Sequence, residues 1–177
     1  MHVFISHSRV NSSAALRLAV ELGKRSVVTW LDARDLEQGA EWDKSVASAI
    51  QSASGFVFVI GPPGPGDRWQ TFEWQQVVNR DDYLDPSKPL IPVLIGDPDL
   101  PGFLKTRQSL VLGDTPGSSG DLADKIVNAL NNPASSVDEK KLEIGRKARQ
   151  QALESFREYS QALGEEDIKR AGIRAVE

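Results

Sequence analysis

Residues Phe56-Val-Phe-Val-Ile60 form an unbroken apolar run, closed by Gly61-Pro-Pro-Gly-Pro-Gly66, a stretch that can continue neither a helix nor a strand. A strand with one face in water alternates apolar and polar residues. A run that is apolar at every position must be covered on both faces, as in the centre of a parallel sheet. The neighbouring segments fit that demand. Val3-Phe-Ile5 starts a short buried strand, and Val27-Val-Thr-Trp-Leu31 a second. Pro89 to Ile95 reads as a fourth strand, with Pro92 expected at an edge or a bulge because proline cannot donate to a ladder. Ser109 to Leu112 reads as a short fifth.

Between the strands the period changes from two to about 3.6. Ala15, Leu18, Ala19 and Leu22 fall on one helical face, with Asn11 and Ser12 as expected caps and Gly23 as the expected stop. Val46, Ala49, Ile50 and Ala53 form a second face, a helix is expected around Trp69 to Asn79, and Leu122, Ile126, Val127 and Leu130 mark another. Strands alternating with helices imply a parallel α/β sheet covered on both sides. Sites in such sheets lie at the carboxyl ends of the strands, here Ser6–Arg9, Asp32–Gly39 and Gly61–Gly66.

After the linker Asn131 to Ser135 the character changes. Ser136-Val-Asp-Glu139 is a capping-box pattern, and Leu142, Leu153, Phe156, Tyr159 and Leu163 lay an apolar stripe along one long helix. Gly164 is expected to break it before a second helix near Glu165–Ala175. The division is therefore 1–132 for the α/β unit and 133–177 for a helical tail, the possible start of a further helical or sensor region. Such a stripe is expected to dock on another helix of this chain or of a second copy.

Composition removes several chemistries. There is no cysteine and there are two histidines, which excludes disulfides, thiolate metal sites, a cysteine nucleophile and a histidine-rich metal centre. A net charge of −4 with no basic run argues against direct nucleic-acid binding. The N-terminus lacks a secretory pattern, and no apolar run approaches the roughly 20 residues that span a bilayer. The expectation is a cytoplasmic protein with no membrane contact. No Gly-x-Gly-x-x-Gly follows the first strand, so a redox dinucleotide fold is not expected, and the glycines at 61–66 lack the Lys-Ser/Thr of a phosphate loop.

Trp69-Gln-Thr-Phe-Glu73 is the segment that carries chemistry. It puts a carboxylate one helical turn after a large aromatic ring, just beyond the third strand. A carboxylate against an apolar wall is a way to tune an acid for work on a sugar bond.

Together, Phe4-Ile-Ser-His-Ser8, Trp30-Leu-Asp-Ala-Arg-Asp-Leu-Glu-Gln-Gly39 with Trp42, Phe56 to Ile60 and Trp69-x-x-x-Glu73 resemble the Toll/interleukin receptor (TIR) domain, in order and spacing, over about residues 2–132. The first segment resembles the family's box 1, the second its box 2 and BB loop. The resemblance implies a flavodoxin-like, five-stranded parallel sheet with helices on both faces, here with a C-terminal helical extension. Some TIR domains, bacterial ones among them, cleave the nicotinamide–ribose bond of NAD and carry a glutamate on the third helix. Glu73 matches that position, so the resemblance favours this NADase branch, acting in bacterial antiphage immune signalling and activated by homotypic TIR–TIR self-association. NAD would be substrate, and no cofactor or metal is implied. Many relatives have a serine after the third strand where this chain has Gly61, which leaves the pocket's shape open.

Glu73 is the expected catalytic residue, placed to stabilise positive charge on the ribose as the bond breaks. The expected substrate-binding residues are Ser6, Ser8, Arg9, Trp30, Asp32, Leu36 and Trp69. Each has a plainer alternative. Arg9 contacts the NAD phosphates or is a solvated loop residue. Ser6 and Ser8 hydrogen-bond the substrate or satisfy loop backbone. Trp30, Asp32 and Leu36 wall the pocket or meet a neighbour, and Asp32 also reads as a loop charge. Trp69 shields the site or packs helix on sheet. The competing function is a non-catalytic adaptor working through self-association. A phosphoacceptor receiver domain is rejected, because the first and third strands end in Ser-His-Ser and Gly-Pro-Pro where that class needs acidic residues.

Overall fold

The computed structural model describes residues 1–31, 42–62, 68–80, 83–85, 87–105, 107–115, 117–132 and 139–162. These contain strands β1 (His2–His7), β2 (Val28–Leu31), β3 (Gly55–Ile60), β4 (Leu90–Ile95) and β5 (Leu110–Leu112). The helices are α1 (Ser12–Lys24), α2 (Trp42–Ser52), α3 (Arg68–Asn79), α4 (Gly102–Lys105), α5 (Ser118–Asn131) and α6 (Glu139–Ala162). All five strands are parallel, in the order β2-β1-β3-β4-β5.

β3 is central and buried at every position, as its run of apolar residues requires. Alternation sorts its side chains between two cores. Phe56, Phe58 and Ile60 face one side, with Phe4 of β1, α2, α3, α4 and α6. Val57 and Val59 face the other, with Val3, Ile5, α1 and α5. Pro92 lies opposite Phe58 of β3, but β5 pairs only with Val93 to Ile95. The proline therefore occupies the part of β4 that β5 does not reach, where a missing N–H costs the sheet little.

Gly23 does not end α1. The helix continues to Lys24, and the left-handed residue is Ser26, with φ 61°. Val27 N–H bonds to Leu22 C=O at 3.1 Å, and Ser26 N–H to Gly23 C=O at 3.0 Å. That pair of bonds is a Schellman motif, with Leu22 and Val27 both buried in the same core. Arg25 holds the end in place. Its guanidinium grips the Asp124 carboxylate at 2.5 and 3.0 Å and also donates to Glu21 and to Gly120 C=O, fastening α1 to α5.

The stripe on α6 meets helices of this chain. Ala148, Ala152 and Phe156 are buried against the core shared by α3 and α4, with Leu153 packed beside them. A small residue lets α6 lie close to the turn after α3: a Cβ on Gly145 would lie 3.0 Å from a Leu84 methyl. The side chains of Leu142 and Tyr159, and residues 163–177 with Leu163 and Gly164, lie outside the described residues. Among the described residues no helix is long and apolar enough to cross a membrane.

Candidate functional site

The strand order reverses direction between β1 and β3, since β2 lies beyond β1 and β4 beyond β3. Open α/β sheets carry their sites above the carboxyl ends of strands at such a point. Ser6 and His7 end β1 there, in register with Phe58 and Val59. Ser6 shares the face of Phe4, so its hydroxyl points among aromatic rings and is fully buried. It is met by Trp74 of α3, whose indole N–H donates to Ser6 Oγ at 3.2 Å. The Trp74 ring lies flat on Phe58, centroids 5.4 Å apart. A buried indole needs an acceptor, and a hydroxyl at the end of a strand supplies one.

Glu73 precedes Trp74 on α3 and has no exposed surface. Burying a carboxylate costs several kcal/mol unless partners compensate. Behind the switch point Ser8 is buried and accepts a 2.9 Å hydrogen bond from Asn11 Nδ2. Asn11 does stand at the N-cap of α1, but its side chain makes no capping bond. Ser12 Oγ instead donates to Arg9 C=O at 2.8 Å. Asn11 turns towards β3: a Cβ at Gly61 would come 2.7 Å from Asn11 Oδ1. Here the asparagine occupies the room that a side chain at position 61 would need.

The expected site residues thus divide. Ser6 and Ser8 lie at the switch point, with the Glu73–Trp74 step of α3 meeting Ser6 through the indole. Arg9 is exposed at the same edge on a single 3-10 turn, Arg9–Asn11. Trp30 is half-buried and stacks on Phe4, centroids 4.9 Å apart. Phe4 precedes Ser6 by two residues, so Trp30 sits about 7 Å further down the sheet. Trp69 lies on α3, but its side chain, like Asp32 and Leu36, falls outside the described residues. Trp74 was not among the expected site residues, Asn11 was expected only as a cap, and Gly61 was noted only for the serine it replaces. Trp74 adjoins Glu73, but its partner Ser6 is 68 positions away, and no local pattern announces such a pair.

Two cavities lie elsewhere. One of about 450 Å³ is lined by Phe103, Ala152, Glu154, Phe156 and neighbours, and one of about 340 Å³ by Arg17, Asp114, Ser118, Ser119 and neighbours. Glu73 lines neither. Among the described residues no cluster of histidine, aspartate or glutamate is arranged to hold a metal ion.

Comparison with known proteins agrees with this architecture. Residues 3–127 match the TIR domain family, so the chain belongs to it. Among solved structures, the TIR domain of the Toll-related receptor TRR-2 from Hydra magnipapillata is similar at 17% identity and TM-score 0.55, over 72% of this chain and 96% of that one. A metazoan TIR-STING receptor from C. gigas, solved with 2′,3′-cGAMP, is similar at 22% identity and TM-score 0.56, over 74% of this chain and 39% of that one. At these identities the likeness is one of fold. No curated protein matches the chain significantly.

Proposed function

We propose that this TIR domain cleaves the bond between nicotinamide and ribose in NAD, with Glu73 as the group that carries the chemistry. The observation behind the reading is a glutamate on α3 next to a tryptophan hydrogen-bonded to the end of β1, where the strand order reverses. As the C–N bond breaks, its electron pair leaves with nicotinamide and the ribose becomes an oxocarbenium-like cation. A carboxylate close to the ring stabilises that charge. Water, or a nucleophilic atom of the substrate itself, then bonds to the anomeric carbon and a proton is released to solvent, giving ADP-ribose or a cyclic isomer. Nicotinamide departs neutral, so no general acid is required. Ser6, Ser8 and Arg9 are the substrate-binding candidates at this edge, and residues 32–41 of a neighbouring copy complete the site on self-association. The setting is immune signalling of the bacterial antiphage kind.

A second reading is a non-catalytic adaptor acting by homotypic contact. The complete enclosure of Glu73 favours it, since a working carboxylate must reach its substrate. One experiment separates the two. Purified protein is incubated with NAD over a range of protein concentrations and the products are resolved by chromatography. The enzyme reading expects nicotinamide release whose rate per molecule rises with concentration, and a loss of about a hundredfold or more in Glu73→Gln with an unchanged melting curve. No release at any concentration leaves the adaptor.

A further inference from the structure

The family match ends at residue 127, yet α6 beyond it is bound to the helix that carries Glu73. Two sets of contacts make the connection. Arg149 of α6 places its guanidinium over the C-terminal end of α3. Nε donates to Val78 C=O at 2.9 Å, and Nη2 donates to Asn79 C=O at 3.3 Å and to Arg80 C=O at 3.0 Å. The last carbonyls of a helix have no partners within it and carry the negative end of its dipole. A fixed cation with several donors satisfies both, and lysine reproduces only the charge. The second set is a chain of rings. Phe156 of α6 meets Phe103 edge to face at 6.0 Å, and Phe103 meets Trp74 at 5.8 Å. Trp74 then reaches Ser6 at the end of β1. Close-packed rings have no slack, so a shift of α6 is passed to the indole and to the residue beside it.

We infer that α6 is the positioning element of the carboxylate helix: Arg149 fixes the far end of α3, and Phe156 fixes Trp74, so that Glu73 and Ser6 keep their relative place. Neither Arg149 nor Phe156 touches the site, so both are positioning residues. The consequence for activity rests on the NAD-cleaving reading, but the positional claim does not.

The test uses the full chain and compares wild type with Arg149→Ala, Arg149→Lys and Phe156→Leu. The first readout is amide hydrogen exchange, resolved by element. Arg149→Ala is expected to speed exchange in the last turn of α3, Val77 to Asn79, by about tenfold or more, the size that follows loss of a hydrogen bond to a charged group. Arg149→Lys restores part of the protection. Exchange in α1 and α5 stays as in wild type. The second readout is NAD cleavage. There kcat falls about tenfold or more in Arg149→Ala and Phe156→Leu, with KM within about twofold, as expected when a reacting group is misplaced and binding is intact. Should wild type not cleave NAD, the Glu73 reading fails and the exchange data still decide the role of α6. Unchanged exchange in α3, or a rise spread evenly over all elements, overturns the inference. So does an unaffected kcat in an active protein whose α3 has loosened.

Discussion

The two faces of the sheet are built from different materials. Against α1 and α5 the core is aliphatic, made of valine, isoleucine, leucine and alanine. Against α2, α3, α4 and α6 it holds Phe4, Phe56, Phe58, Trp74, Tyr83, Phe103 and Phe156, with Trp30 packed beside them. Polar groups are managed differently too. The aliphatic layer keeps its charges at the rim, where Arg25 joins Glu21 to Asp124. The aromatic layer takes Ser6 and Glu73 inside. Branched aliphatic side chains fill space and offer nothing to bond. An indole fills space and donates one hydrogen bond, so polar atoms can enter that layer at defined points. Buried polar side chains therefore enter the aromatic side, while the charged pairs of the aliphatic side stay at its rim.

Deleting the central ring should break this contrast most sharply. Trp74→Ala is expected to cost about 3–5 kcal/mol, read as a fall in melting temperature. Trp74→Phe keeps a ring on Phe58 and loses the bond to Ser6, for about 1 kcal/mol. Equal losses in the two variants would show that the hydrogen bond outweighs the packing. Next in size is Gly61→Ala, about 1–3 kcal/mol, because its Cβ would press on Asn11 Oδ1 at the join between the layers. Combining it with Asn11→Ala, which vacates the space, should recover much of the loss in chemical denaturation.

The aliphatic layer should respond more gently, and once in the favourable direction. Ser26→Gly relieves a left-handed residue in the Schellman turn and should stabilise by about 0.5–1 kcal/mol, seen as a higher denaturant midpoint. The smallest effect concerns the rim. Hydrogen bonds from Arg25 hold the Asp124 carboxyl below its usual range, and Lys24 with Arg25 does the same for Glu21. A lowered folded value means that the contribution is present above about pH 4 and is lost as pH falls through the folded value. Asp124 is exposed and Glu21 half-buried at the rim, so solvent screening keeps the contribution small. Asp124→Asn should lower stability slightly near neutrality and converge with wild type in acid, which makes the acid side of the stability profile slightly shallower.

The same contrast explains what could be read in advance. The Phe56 to Ile60 run declares a central strand, because only burial on both faces tolerates it. Its alternation of Phe with Val already held the division of the cores. The apolar faces of α1, α2 and α5 follow from their spacing alone. Glu73 and Ser6 were singled out through a resemblance that joins distant segments, and both side chains are buried. Trp74 was not, since its role depends on a partner brought near only by the fold. Asn11 misled because a polar residue before a helix ordinarily caps it, and here a missing side chain at position 61 drew it away. On α6 the large residues stood out, while close approach depends on Gly145, Ala148 and Ala152, which hydrophobic patterning underrates.

The uneven distribution of rings has a practical consequence for spectroscopy. The chain has four tryptophans, at 30, 42, 69 and 74, and none belongs to α1 or α5. Intrinsic emission therefore observes one half of the molecule. An unfolding curve followed by fluorescence would register loosening of the aromatic layer and pass over an early loss of α1 and α5. Far-ultraviolet circular dichroism, which counts helices on both sides, would record it. Coincidence of the two curves would mean that the layers melt as one unit, and a gap between them would measure how independently each holds to the sheet.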